Sequence, residues 1–427
     1  METLRISFIT VDRKFEIKLE SPDETTTKLF NDLLYCFADT ELESDNTDTI
    51  SVFAEQLVTK ELKDKVSTFV AKYGDTYKLF NKLENVLNKL PDGQYFLVVP
   101  SLPTETSDLL RCEQYLALLN SKGLSEDIEK DLIDEQNRTH EVFGEILNNY
   151  NISCLDGSSR TAIGNAQRAA RTCRFCRKKS EDGVTFKKLA HAIPEALGNK
   201  NIVLHDECDG CNSFFGDVIE PALIEYLDIF RSTTGIKGKN GHPTIKFKNG
   251  KISNQDGITV ISTQNLEKTD TCITATFQST KTNIPVNIYK ALCKITLSTI
   301  QTDIVPELYE TIKWMLNENS PEVKLPRIAS VVLNTKSNLP PQVTNYIRKS
   351  NDTSLPHVVT EFKIGQLVYV YIVPFSKKDD KDFVDVKDYD RFWAAFKHYN
   401  SVTRWKFSDY SKCTPVHISE KIRVYQR

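Results

Sequence analysis

The chain opens on alternation. Leu4, Ile6 and Phe8, then Phe15, Ile17 and Leu19, fall every second residue on either side of a Val11-Asp12-Arg13-Lys14 break, a pattern that predicts a two-strand hairpin. Ser21-Pro22-Asp23-Glu24 reads as a helix start, with Leu29, Leu33 and Phe37 along one face. The acidic stretch 41–48 predicts a solvated loop. Across 51–89, Phe53, Leu57, Leu62 and Val66 recur at near-turn intervals and predict helix. Tyr95-Phe96-Leu97-Val98-Val99, closed by Pro100 and Pro103, predicts a short buried strand. Ser125-Glu126-Asp127-Ile128 starts a strongly acidic helix running to Tyr150, with Leu124, Ile128 and Leu132 on its apolar stripe and a charged face left to solvent.

Further along, Asp156-Gly157-Ser158-Ser159 reads as a linker, and the Ala-rich, basic stretch 160–171 predicts a helix. Val184-Thr185-Phe186 and residues 188–193 predict a short hairpin with His191 at the end of its second strand, where Pro194 breaks the ladder. Val218, Ile219, Leu223, Leu227 and Phe230 then recur at helical spacing. The remainder alternates strand-like runs (244–247, 258–262, 272–277, 328–333, 367–373 and 421–425) with helical patterns that begin at Pro285, Pro306 and Phe392. The reading is α+β throughout, in three parts: an N-terminal α+β region over 1–155, a small central region over 156–235, and a C-terminal α+β region over 236–427.

Composition changes this picture little. The 427 residues suffice for two or three domains. Hydrophobic residues at 40% and charged residues at 26% fit a soluble globular chain, and a net charge of -3 leaves room for a local basic face. No apolar run approaches the ~20 residues that cross a bilayer, and the first residues lack a signal-peptide pattern. No membrane association and a cytoplasmic location are therefore expected. Within 160–188 there are nine basic residues, Arg160, Arg168, Arg171, Arg174, Arg177, Lys178, Lys179, Lys187 and Lys188. Only Glu181 and Asp182 oppose them. Such a stretch can hold phosphates, or can simply be a solvated surface.

Cysteine spacing carries the chemistry. Of ten cysteines, four form two Cys-x-x-Cys hooks, Cys173/Cys176 and Cys208/Cys211. In a reducing compartment such hooks read as metal ligands or redox dithiols rather than structural disulfides. Two hooks together supply a four-sulfur site for structural zinc. The 31 residues between them exceed the ~15–20 of a plain zinc ribbon. Inside the insertion lies His191, and directly after the second hook comes Asn212. An asparagine there also fits a helix N-cap, and Asn199 after Gly198 also fits a turn.

The run Cys173-x-x-Cys176, then 190–199 (Ala-His-Ala-Ile-Pro-Glu-Ala-Leu-Gly-Asn), then Glu207-Cys208-x-x-Cys211-Asn212-x-x-Phe215-Gly216 resembles the HNH endonuclease family in its zinc-containing branch. The likeness spans about residues 171–220. It implies a central zinc-stapled ββα-metal domain that hydrolyses phosphodiester bonds in nucleic acid, with DNA expected over RNA, using Mg2+ or Mn2+. His191 matches the general base, since an imidazole with an ordinary pKa of ~6.5 suits proton abstraction near neutrality. Asn212 stands where the family has a catalytic-metal ligand, and both Asn199 and Asn201 qualify for the middle asparagine that orients the base. The family often carries an acid or histidine just before the base; this chain has Ala190, with His205, Asp206, Glu207 and Asp217 as nearby donors. Family settings further suggest a restriction or antiphage effector, with 1–155 receiving a protein partner or activating signal. The rival reading is a non-catalytic zinc module that binds nucleic acid or a protein, favoured by Ala190; an RNA-cutting toxin is a third.

Overall fold

The computed structural model describes residues 3–20, 23–38, 50–238, 241–242, 244–255, 258–317, 321–334 and 340–425. The acidic stretch 41–48 lies outside them. The chain divides into two compact units, Met1–Leu147 and Asn148–Arg427, both mixed α and β.

In the first unit the opening alternation forms the expected hairpin. Thr3–Ile9 pairs with Lys14–Glu20, placing Ile6 opposite Ile17 and Phe8 opposite Phe15. Tyr95–Val99 and Glu55–Leu57 complete a four-stranded sheet. Period-two alternation gives the sheet two apolar faces. Phe8, Phe37, Phe69, Phe80 and Phe96 share one core beneath helices Glu24–Tyr35, Lys60–Tyr73 and Leu79–Leu87. Ile9 and Leu97, one residue out of phase, join Leu116, Leu119 and Ile128 on the other side. The helix Glu24–Tyr35 starts where its Asp23 cap accepts from the Thr26 amide. The 51–89 stretch is not helical from its start: Glu55–Leu57 is strand and Phe53 is exposed.

In the second unit one helix, Pro285–Thr299, runs through the largest core. Nearly every residue on it is buried, including Lys290 and Lys294. A six-stranded antiparallel sheet flanks it. In spatial order its strands are Lys406–Ser408, Ile328–Val332, Leu367–Ile372, Val358–Ile364, Gln342–Arg348 and Tyr150–Asp156. Polar groups at this contact are matched in pairs, as burial demands. Tyr371 donates to the Leu292 carbonyl at 2.8 Å, Thr296 donates to Thr360 at 2.9 Å, and Asn345 donates to Thr299 at 3.0 Å. The strand Tyr150–Asp156 thus belongs to this sheet. Residues of the central and C-terminal stretches also share one core, in which Leu204, Phe215 and Leu223 cluster with Leu292, Phe362 and Tyr371.

All three tryptophans (Trp314, Trp393 and Trp405) lie in this second unit, so their fluorescence reports its unfolding. Leu292 is fully buried on the central helix. Leu292→Ala is expected to lower the stability read by tryptophan emission in urea by about 2–5 kcal/mol, the range for emptying a packed leucine site; a loss under about 0.5 kcal/mol would contradict the central place given to this helix.

Candidate metal centre and active site

The first hook is a tight turn. The Cys173 amide donates to the Lys178 carbonyl at 2.9 Å, and the Arg177 amide donates to the Cys173 carbonyl at 2.8 Å. Closing that turn sets Arg177 at φ 64, a left-handed conformation uncommon outside glycine. Its guanidinium lies 4.4 Å over the ring of Tyr309. The Arg174 amide donates to the Asp206 carbonyl at 2.8 Å, which brings the first hook beside the second.

The second hook starts a helix. Cys208 is the N-cap of Asp209–Phe214, its sulfur accepting from the Cys211 amide at 3.5 Å. The Cys208 amide donates to the Cys173 sulfur at 3.4 Å. The four Sγ atoms lie within 4.8 Å of one another, and Cys176 to Cys208 is 3.7 Å. A tetrahedron with Zn–S of about 2.3 Å has sulfur–sulfur edges of about 3.8 Å. Amide donors to the sulfurs are the outer-shell partners such thiolates need. Hydrogen bonds from Cys173 and Cys211 hold the Cys208 thiol far below its ordinary pKa, while its partners Cys173 and Cys211 are pushed up. Four thiolates this close would repel one another, and a dication among them would offset that repulsion, so these four cysteines could hold a zinc ion.

His191 ends the strand Ala190–His191, which pairs antiparallel with Ile202–Leu204, His191 opposite Val203. The hairpin therefore differs from the expected one: the partner strand lies after His191. The reason is Asp209. Its carboxylate accepts from the Lys187 and Lys188 amides, at 3.0 and 2.8 Å, so residues 185–188 are tied to the second hook instead of a ladder. The carboxylate stays ionised because those bonds and one from Thr185 outweigh burial. Likewise 160–171 is not an α-helix and holds only a single 3-10 turn, Arg168–Ala170. Thr161–Ile163 is a strand parallel to Ile202–Leu204, and Gly164, at φ 90, faces the Asp206 carboxylate so closely that a Cβ would lie 2.3 Å from it.

The candidate asparagines divide. Asn199 is fully buried and saturated: its amide donates to the Ile193 and Ile202 carbonyls at 2.8 Å, and its oxygen accepts from the Asn201 and Ile202 amides. It latches the turn between the hairpin strands. Asn201 donates to the Gly157 carbonyl at 2.6 Å. Neither side chain bonds the His191 ring. Asn212 sits in the first turn of its helix, half-buried, and its side chain makes no hydrogen bond among the described residues. The cap is Cys208, so the N-cap reading of Asn212 does not hold. Of the nearby donors, Asp206 accepts from the Asn165 amide at 2.9 Å and is structural. Glu207 is buried beside a lysine, and Asp217 is exposed. The imidazole of His191 is half-buried, with Nδ1 enclosed and unbonded among the described residues. Burial lowers its pKa, against a smaller opposing pull from Glu195.

Two of the nine basic residues are buried and committed internally. Arg171 donates to the Asn165 and Ala166 carbonyls. Arg174, 4% exposed, donates to the Leu297 and Ile300 carbonyls at 2.6 and 3.2 Å, satisfying the end of the central helix. Arg160, Arg168, Arg177 (over the Tyr309 ring), Lys178, Lys179, Lys187 and Lys188 remain exposed.

Sequence reasoning missed Lys294. It lies on the central helix, and its ammonium is 2.8 Å from the His191 carbonyl, 3.0 Å from Glu220 and 3.5 Å from Glu207. The signal was available: Lys290 and Lys294, four apart, are the only charged residues on the helix Pro285–Thr299.

The HNH endonuclease family model matches residues 173–228, so this segment is an HNH endonuclease domain, of a family of nucleases that act on nucleic acid. No curated protein and no solved structure matches the chain. Among the described residues no helix is long and apolar enough to cross a membrane.

Purified protein is expected to carry zinc, and Cys208→Ser or a strong chelator should release it with loss of the folded 173–228 segment, because a zinc site of this kind contributes folding free energy directly. Elemental analysis with amide hydrogen exchange checks this; a zinc-free protein with full protection over 173–228 would refute the site.

Proposed function

We propose that the domain is a metal-dependent endonuclease with His191 as general base. The observation that carries this reading is an imidazole at the edge of the hairpin whose partner strand leads into the second cysteine hook. Burial keeps that imidazole neutral, hence able to take a proton, at physiological pH. In the proposed reaction His191 deprotonates the attacking water. Asn212, with its side chain uncommitted at the helix start, would ligate Mg2+ or Mn2+, which supplies charge neutralisation at the scissile phosphate when bound. The seven exposed basic side chains of 160–188 are available to phosphates on either side. Asn199 acts here by shaping the turn that carries His191. DNA is the substrate we assign, and a restriction or antiphage setting with partner input through the N-terminal region is the context; both rest on the family resemblance alone.

The competing non-catalytic module is favoured by one observation, the buried Ala190 where an acidic ligand is common. A plasmid-nicking assay with Mg2+ or Mn2+ separates the two. His191→Ala is expected to reduce cutting by at least about 100-fold, the scale of a lost general base, while zinc content and melting stay unchanged. Cutting that survives in a folded His191→Ala protein would remove the assignment.

The pH profile provides a second check. Only the neutral ring accepts a proton, so activity rises as pH passes upward through the His191 pKa. That pKa is lowered from 6.5 by burial in the free protein, so the acid limb of kcat/KM, which reports the free enzyme, is expected to have its midpoint below 6.5. A limb centred clearly above that value would point to a different base.

A further inference from the structure

The His191 strand is only two residues long and lies at the edge of a three-stranded sheet. Its ladder contacts alone hold it weakly. On its open side, where no further strand pairs among the described residues, the His191 carbonyl accepts from Lys294, 103 residues further along the chain. Lys294 is 1% exposed, and its two carboxylate neighbours are 0% (Glu207) and 15% (Glu220) exposed. The ammonium donates to the His191 carbonyl and is ion-paired with both carboxylates, closely with Glu220 at 3.0 Å and without a hydrogen bond to Glu207 at 3.5 Å, and each of these three groups belongs to a different part of the candidate site. His191 is on the hairpin, Glu207 directly precedes the second hook, and Glu220 opens the helix Glu220–Tyr226 that continues from Asn212.

Burying such a group is a poor way to gain stability. An ammonium and two carboxylates lose their hydration, and an apolar side chain of similar size on this apolar helix would do as well or better. What the cluster does provide is direction, because a charge with fixed hydrogen-bond partners tolerates few arrangements. The geometry points to Lys294 as a positioning residue for His191: held in the core by the central helix, its ammonium fixes the backbone at the hairpin edge and with it the aim of the imidazole. This rests on the reading of His191 as general base, and extends the site beyond the segment 173–228 to a helix outside it.

The test uses the full-length, zinc-loaded chain with labelled histidine, in wild type, Lys294→Met/Glu207→Gln and Lys294→Arg. The double variant removes the charge together with its most buried partner. Melting and zinc content are measured first, then the ring resonances of His191 by NMR with buried His357 as internal control, then cleavage kinetics. The expected result is a folded, zinc-bound double variant whose His191 ring signals move or split while those of His357 do not. Its kcat should fall about 100-fold, as a misplacement near 1 Å can cause, with KM changed less than about threefold. Should the double variant lose its zinc or its cooperative melt, Lys294→Arg carries the comparison: its longer, planar guanidinium cannot place its donors where the ammonium stands, so the His191 signals are again expected to move. His191 signals that superimpose on wild type in a folded variant overturn the proposal, whatever the kinetics. If wild type cuts nothing under any metal condition while the His191 signals still move, the positioning role stands and the nuclease reading is what fails.

Discussion

Four sulfurs brought within a few ångströms of one another are the constraint on which the site depends. Closing a 31-residue insertion costs a chain about 3 kcal/mol in loop entropy before any contact repays it. The hairpin inside that insertion is too small to repay it alone: one strand has two residues and the other three. Structural zinc in four-ligand sites contributes about 10–16 kcal/mol at neutral pH, so an ion held by these four cysteines would outweigh that cost. The short hairpin, the Asn199 latch and the Asp209 tie refine a loop whose ends meet at the four clustered sulfurs.

The second unit is joined to that site by charges in its interior. Arg174, from the first hook, closes the carboxyl end of the Pro285–Thr299 helix. Lys294, from within the same helix, reaches back to the hairpin. Neither cation is near solvent, and removing one partner from such a buried set typically costs about 3–5 kcal/mol. Burial acts on the acids as well: Glu207 is pushed up to about 7, with Lys294 pulling the other way. The HNH segment is therefore packed and charge-matched to the helix behind it, so that cutting the chain at either end of 173–228 would expose apolar surface and strand these charges.

Local signals were legible wherever local chemistry decides the outcome. The 3–20 hairpin, the Asp23 cap, the strand at 95–99 and the β-branched run at 367–372 all follow from residues a few positions apart. The two hooks announced the sulfur cluster by spacing alone. Pairings made at long range were not legible. Tyr150–Asp156 follows directly on an acidic helix and reads as its tail and a linker, yet its partner is Gln342–Arg348. The segment 160–171 has helical composition, but Gly164 against Asp206 and a parallel partner strand override propensity. The helix Thr106–Lys122, by contrast, is marked by a stripe of Leu109, Cys112, Leu116 and Leu119 at helical spacing, which packs into one cluster. At the site, His191 and the cysteines stood out by motif. Lys294 did not, because a lysine on an apolar helix acquires meaning only from the acids that tertiary structure sets around it, and Arg174 looked like a phosphate ligand because composition cannot say which guanidinium faces inward.

The helix that starts at Cys208 does not run on uniformly: Phe215–Ile219 forms a π-turn before Glu220–Tyr226 continues. A π-turn accommodates roughly one residue more than an α-helical turn does, which advances everything downstream by about 100° around the axis. The stretch upstream can thus be phased to suit the sulfurs and Asn212, and the stretch downstream to aim Glu220 at the buried ammonium. A single surplus residue works here as a gear offset, letting one continuous helix meet two angular requirements that no regular spiral of this length would meet together.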